Sequence, residues 1–430
     1  MFLHKPLILI ALIAPLPLRA QTPAGTAASV VTLRQCYEWT REQNEDLKIW
    51  KETIEQSRFR ARGALGSALP DIRWKWSETW QDPNGVDKLE SKGFTGFVEK
   101  NQIESRFTAT QPLFSGFREF SARAGFLHEG ERDRLLLERA ELELFERTAQ
   151  AFYAVIGYET DRANTANAYE LAEDRVKELR SFLRLGKARE SEVFTAKAHA
   201  AALKGELDQI DGNAFSARQE LSFLTGHDLS TAVFQDENPL PNALPSLDYV
   251  LSQARERSDL RAQREDVAGR KLRMRYERGY YWPTADLTGN YYTKRATFLK
   301  DIDWDVILGV DVPIYQGGKV SASAREARSA YRQSLFTLQQ MERRVDYNVK
   351  KTHGELVAAV QEANSMDEAA KAARQSYDAL LKEYRLGLVT NLDVLQALDL
   401  LQAQQKSRDA AFIKAKRRRI QLNVAAGVLP

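Results

Sequence analysis

Gln111-Pro112-Leu113-Phe114-Ser115-Gly116 and Val312-Pro313-Ile314-Tyr315-Gln316-Gly317 are two versions of one turn, 201 residues apart. At that same offset Arg184-Leu185-Gly186 falls on Arg385-Leu386-Gly387, Glu192-Val193 on Asp393-Val394, and Leu221 to Gly226 on Leu422 to Gly427. Upstream of the two turns the offset becomes 213, setting Asp46-Leu47 on Asp259-Leu260 and Pro70 on Pro283. Several landmarks in one register mark a tandem duplication. The twelve residues by which the offsets differ then lie between the strands of a hairpin in the first half.

Proline placement maps the elements. None of the 13 prolines lies between Pro112 and Pro239, or between Pro313 and Pro430. An interior proline costs a helix about 3 kcal/mol, so these spans, rich in Ala, Leu, Glu, Gln, Lys and Arg, read as long helices. Apolar residues recur in them at helical spacing: Phe117, Phe120, Ala124 and Leu127, then Leu392, Leu395, Leu398 and Leu401. A helix over 116–184 would run about 100 Å, while 33–66 and 190–226 would give roughly 50 and 55 Å. Two short helices end to end thus match one long one. The chain would climb from a midpoint, turn through a hairpin, descend the full length and return. That places Gly186 and Gly387 at the far tips, and a Pro-rich linker over 227–245 at the equator. The two units are residues 21–226 and 246–430.

Each unit holds a strand pair, near 70–80 and 104–114 in the first and near 283–293 and 303–315 in the second. Ile72, Trp74, Trp76 and Trp80 alternate with Arg73, Lys75, Ser77 and Thr79, and Phe107, Ala109 and Leu113 with Arg106, Thr108 and Thr110. In the second unit Ala285, Leu287, Gly289 and Tyr291 alternate with Asp286, Thr288 and Asn290. Trp304, Val306, Leu308, Val310, Val312 and Ile314 do so with Asp303, Asp305 and Asp311. An apolar face opposite a charged one, over about ten residues per strand, is the transmembrane-barrel pattern. Aromatics at the strand ends (Trp80, Tyr280, Tyr281, Trp282, Trp304, Tyr315) fit an interfacial girdle. The bland alternative is a soluble hairpin with one wet face. Four strands cannot close a barrel, and an open edge in lipid leaves backbone groups unsatisfied. Strands of this kind in a membrane therefore require several chains to share one barrel.

Composition sets further bounds. Basic residues number 62 against 59 acidic, a net charge of +3 that argues against a nucleic-acid partner. The one basic run, Lys414 to Arg419, lies near a helix end and reads as a solvated face. Met1 to Lys5 is a basic start, Leu7 to Pro17 is apolar, and Leu18-Arg19-Ala20 precedes Gln21, which together read as a signal peptide over 1–20. That apolar stretch is too short to span a bilayer. The lone Cys36 reads as a packed thiol. His4, His128, His199, His227 and His353 include no pair at metal-ligand spacing, and no phosphate-cradling loop or nucleophile elbow is present. No enzyme, cofactor or metal site is expected.

The turns Pro112 to Gly116 and Pro313-Ile314-Tyr315-Gln316-Gly317-Gly318, the duplication, and the segment Tyr384 to Leu395 resemble the TolC-type outer-membrane efflux proteins, over about residues 30–428. The resemblance implies a mainly α protein with membrane β structure: a trimer whose twelve strands form one barrel in the outer membrane, above a long periplasmic barrel of helices. It implies a passive channel serving a periplasmic adaptor and an inner-membrane pump, in tripartite efflux or type I secretion. The positions matching the family's periplasmic constriction are Tyr384 and Asp393, with Glu192 as the first-unit counterpart of Asp393. Gln396 stands where family members can carry a second acid. Arg184, Leu185 and Gly186, and Arg385, Leu386, Gly387 and Leu388, resemble adaptor-contacting tips. Asp393 also sits three residues after Thr390, so it reads equally as a helix cap, Gly186 and Gly387 read as turn glycines, and Tyr384 reads equally as packed between neighbouring helices. The competing reading of the whole is an exported coiled-coil scaffold or adhesin without a pore, which leaves the membrane-type alternation unexplained.

Overall fold

A computed structural model describes residues 30–93, 98–240, 244–296 and 299–429. The signal peptide expected over 1–20 lies outside the described residues. The chain runs β1 (Val30–Val31), α1 (Leu33–Gln43), α2 (Glu45–Gly66), β2 (Asp71–Trp80), α3 (Pro83–Glu90), β3 (Asn101–Phe114), α4 (Arg118–Arg184) and α5 (Glu190–Thr225). It continues through β4 (Val233–Phe234), α6 (Leu247–Ala254), α7 (Ser258–Arg278), β5 (Thr284–Lys294), β6 (Trp304–Asp311), α8 (Lys319–Arg385) and α9 (Asn391–Ala426).

The helices α4 and α8 are each 67 residues long, about 100 Å, and α5 and α9 are each 36. Toward the sheet the helices stand in the row α2, α4, α7, α8; toward the tips the row is α5, α4, α9, α8. The span 33–66, expected as one helix, is two. Asn44 leaves the helical region at ψ 118° and its side chain accepts from the Leu47 amide, so it ends α1 and caps α2. Asparagine followed by Glu45 and Asp46 is a strong helix start, and it outcompetes continuation.

Among the described residues five apolar cores divide the helical rows, three of which bear on the equator and the tips. At the equator one core takes side chains from α1, α4, α5, the linker and α9, with Phe152 and Tyr153 wholly buried. Toward the tips the packing separates. Ala168, Ala172, Val176 and Leu179 of α4 meet Val193, Ala196, Ala200 and Leu203 of α5. Ala373 and Tyr377 of α8 meet Val394, Leu398 and Leu401 of α9. These are helical-period seams in which alanines let the axes approach closely. The linker near 227–245 is held in place. Val233–Phe234 pairs in parallel with Val30–Val31, and the Arg218 guanidinium donates to the carbonyls of Leu229, Ser230 and Ala232. Cys36 is packed in this region, and burial pushes its thiol up to about 12.

The four longer strands form one antiparallel sheet in the order β2-β3-β5-β6. Trp74, Phe107, Tyr291 and Trp304 occupy one row across all four strands, on the face that also carries Ile72, Leu287, Val306 and Leu308. That face is exposed, Ile72 at 72% and Trp74 at 61%. A contiguous apolar surface of this size is not tolerated in water. The opposite face is a polar ladder: Thr108 donates to Asn290 (2.9 Å), Asn290 to Asp305 (2.7 Å), and Thr110 lies 3.2 Å from Thr288. β6 stops at Asp311, four residues short of the expected strand. Asp311 pairs with Thr284, the first residue of β5 after Pro283, so nothing stands across from 312–315. The additional residues of the first hairpin form the helix α3.

Candidate functional site

At the ends farthest from the sheet, α4 turns into α5 and α8 into α9. Both turns close the same way. Gly186 and Gly387 adopt φ of 71° and 78°, and the amides of Lys187 and Leu388 donate back to Phe182 and Glu383 at 2.8 and 3.0 Å. A glycine at positive φ accepting this closure is the helix stop that satisfies the last carbonyls. It leaves Leu185, Leu386 and Leu388 exposed at 67%, 75% and 71%, flanked by Arg184 and Arg385. The residues expected at the tips are therefore at the tips.

The start of α9 is capped. Thr390 Oγ1 accepts from the Asp393 amide, while Asp393 Oδ2 accepts from the Thr390 amide at 2.8 Å and from its hydroxyl at 2.6 Å. These bonds hold the Asp393 carboxyl below the usual carboxylate range, the Thr390 hydroxyl contributing most. The capping half of the dual reading of Asp393 is thus observed directly. Arg189 stands in the equivalent place before α5 and makes no side-chain cap. Glu192 is partly exposed in the first turn of α5, and Gln396 is exposed in α9. No contact brings either of them to Asp393 among the described residues.

Tyr384 is not free in a lumen. It packs against both tip cores, and the Arg175 guanidinium of α4 stacks 3.7 Å from its ring centroid. Arg175 is 5% exposed. Its Nε donates to Asn391 Oδ1 at 2.8 Å and an Nη to Glu178 at 2.6 Å, while Nη2 is buried without an acceptor. Arg385 reaches Glu178 from the α8 side at 3.9 Å. One cation thereby joins α4 to both α8 and α9, beside the apolar contacts that Leu171 and Tyr384 make across the same seam. Arg175 escaped the sequence reading because its counterpart at the 201-residue offset is Ser376, so the repeat does not flag it.

Higher up, polar pairs join α9 to both α4 and α5: Asn164 with Asp409 at 2.5 Å, Lys406 with both Asp161 and Glu206, and His199 with Asp399. The basic run is also engaged, with Lys414 on Glu362, Lys416 on Asp236 and Arg418 on Glu355. Among the described residues no cluster of His, Cys, Asp or Glu could hold a metal ion, and no helix is long and apolar enough to cross a membrane.

Comparison with known proteins places this geometry. Residues 250–428 match the family model described as outer membrane efflux protein. The chain is 21% identical to the outer membrane protein TolC of Salmonella enteritidis over 414 residues, covering 90% of this chain and 80% of that one. It is 22% identical to the proteases secretion protein PrtF of Dickeya chrysanthemi over 382 residues, covering 84% and 80%. Among solved structures, the CmeC outer membrane channel of Campylobacter jejuni superimposes with a TM-score of 0.78 at 16% identity, covering 92% of this chain and 85% of that one.

Proposed function

Because the chain belongs to the TolC-type outer-membrane efflux protein family, we propose that three copies assemble into one conduit, a sheet-lined pore in the outer membrane continued by a periplasmic duct of helices. The chain is an outer-membrane channel subunit of a tripartite efflux or type I secretion system, and it conducts passively. The observation that carries this is the open sheet. β2 and β6 each present an unpaired edge beside an apolar face, and in lipid those edges must pair with another copy.

The helical rows are open on the same two sides. Ile49 and Phe59 on α2 and Phe215 and Phe223 on α5 are exposed at one margin, and Phe336 and Tyr347 on α8 at the other. Different surfaces at opposite margins make a heterologous contact, which closes into a ring when the rotation fits. The exposed Leu-Gly tips suit docking to a periplasmic adaptor, with an inner-membrane pump supplying the energy. At the same end Arg175, Tyr384 and Asn391 tie the α8–α9 hairpin to α4. The tip cores of the two hairpins meet there only through Leu171 and Tyr384, so the hairpin could swing once the tie is released. Asp393, Glu192 and Gln396 would then line the narrow end, with Asp393 serving as cap and lining at once.

Single-channel recording of purified protein in a planar bilayer tests the reading. Discrete conductance and an oligomer in detergent are expected. A monomer without conductance would mean a scaffold rather than a channel.

A further inference from the structure

The short helices that lead into the sheet carry a charge pattern that conduction does not use. On α7, Arg261, Arg264, Lys271 and Arg275 are exposed and recur at spacings of three, seven and four, one face of a helix. On α2 the residues 213 positions earlier are Lys48, Lys51, Arg58 and Arg62, all exposed. Arg278 extends the α7 stripe toward the membrane. Among the described residues only Arg58 of these cations has a carboxylate partner, Glu55 at 3.4 Å. Cations elsewhere on α7 are paired: Arg270 with Asp266 and Arg273 with Glu277. The chain as a whole nearly neutralises itself, so a repeated stripe whose cations other than Arg58 lack a carboxylate partner is selective placement, with Arg62 also lying over the Phe59 ring at 5.4 Å.

Which side the stripes face follows from their lower ends. Lys48 Nζ donates to the carbonyl of Gln43, the last residue of α1, and Arg264 to that of Arg255, the cap of α6. α1 and α6 form, with the linker strap, a second layer laid on the helical rows at the equator. If the protein is a channel, that layer lies outside, since inside it would fill the duct. The stripes then climb the outer surface toward the membrane. Arg62 and Arg275 each lie eight residues before the proline that opens a strand, and Arg278 lies two residues before Tyr280, in the aromatic stretch Tyr280-Tyr281-Trp282.

We propose that the upper ends of these stripes bind anionic phospholipid headgroups of the periplasmic leaflet, forming a basic collar around the assembled channel. Guanidinium groups match phosphate geometry, and basic groups beside a membrane-embedded segment are favoured by anionic lipid. Reach confines the contact to the top. At 1.5 Å per residue Arg62 and Arg275 start about 12 Å below the strands, a gap that an extended arginine narrows to within the ~8 Å screening length, whereas Lys51 and Arg264 start roughly 28 Å below and stay beyond it. This inference uses the channel reading only to decide which surface is outside.

The test is native mass spectrometry of the purified full-length protein with phosphatidylglycerol or phosphatidylcholine, paired with single-channel recording. Wild type should retain phosphatidylglycerol preferentially. The triple variant Arg62→Gln, Arg275→Gln, Arg278→Gln should lose that preference, roughly fivefold per cation, with conductance and ion selectivity unchanged. The lower triple variant Lys51→Gln, Arg261→Gln, Arg264→Gln should keep it. Three outcomes overturn the proposal: an upper variant that retains the preference, equal losses in both variants (a long anionic polymer along the whole stripe), or an altered reversal potential in the upper variant (a stripe inside the duct). A wild type without conductance defeats the channel reading instead, and the lipid measurement stands apart from it.

Discussion

The turn into α4 and the turn into α8 share one frame, Pro-x-x-x-Gly, yet the molecule spends different chemistry on them. Before α8, Gly317 and Gly318 take φ of 59° and 80° with open space around them. Before α4, Gly116 takes φ 68°, and the next position is Phe117, the one non-glycine residue at positive φ among the described residues. Gly116 is also pressed against the backbone of Gly279, where a Cβ would lie 2.2 Å from the carbonyl oxygen. Phe117 stacks edge-on against Phe114 at 5.2 Å, which offsets part of its strain. The difference is one of position. The first turn lies inside the chain, against the α7–β5 junction, whereas the second lies at the free margin of the sheet. In the proposed assembly that free margin faces another copy.

Substituting alanine at the paired glycines should break this comparison most sharply. Gly116→Ala must displace backbone as well as adopt a left-handed conformation, at about 3 kcal/mol or more. Gly317→Ala meets only the conformational cost, about 1–2 kcal/mol. Thermal unfolding of each variant in detergent measures the gap, and equal losses would show that the neighbouring copy crowds Gly317 as tightly as Gly279 crowds Gly116.

The two tips differ in what holds them. Arg175 on the first hairpin ties the second, and nothing reciprocal comes from Ser376. Arg175→Ala should lower stability by about 2 kcal/mol, since it strips a buried cation from Tyr384, Asn391 and a half-solvated Glu178. Conductance should rise if the tie restrains the hairpin. Arg175→Lys should recover charge but not the double contact. A destabilised variant with wild-type conductance would reduce Arg175 to a packing residue.

Much of this architecture is legible in sequence because it depends on local rules. The proline-free spans located both long helices, the start of α4 to within two residues, and alternation located all four strands. The tip glycines were readable because positive φ demands them. The failures come from contacts between distant segments. That β6 ends at Asp311 depends on where its partner begins, and the break at Asn44 depends on a cap competing with an otherwise helical pattern. Arg175 depends on α4 lying beside α9 and within reach of Tyr384 at the end of α8, which no periodicity encodes.

Capping offers a smaller and cleaner contrast. Thr390 caps α9, while Arg189 leaves the first amides of α5 without a side-chain acceptor. Thr390→Ala should cost about 1 kcal/mol, and Arg189→Ser should add a similar amount. Helix-terminal hydrogen exchange reads both without relying on global unfolding. If Arg189→Ser slows no exchange at the start of α5, solvent already serves that end as well as a cap does.

The smallest effect is the most specific to one residue. Asp393 is held below the usual carboxylate range by the Thr390 hydroxyl and amide. A carboxyl whose folded value is depressed contributes stability that is present above its unfolded value, near 3.9, and is lost as pH falls through the folded one. Above about pH 5 the cap is therefore fully formed, and acid removes it. Partial exposure to solvent keeps the contribution small, so it is best read locally. The chemical shift of the Thr390 amide should move with a low-pH titration in wild type and lose that step in Asp393→Asn, while amides around Glu192 keep their own profile. A Thr390 amide that shows no acid step in wild type would break the link between the cap and the Asp393 charge, and would leave pore lining as the remaining reason for an acid at this position.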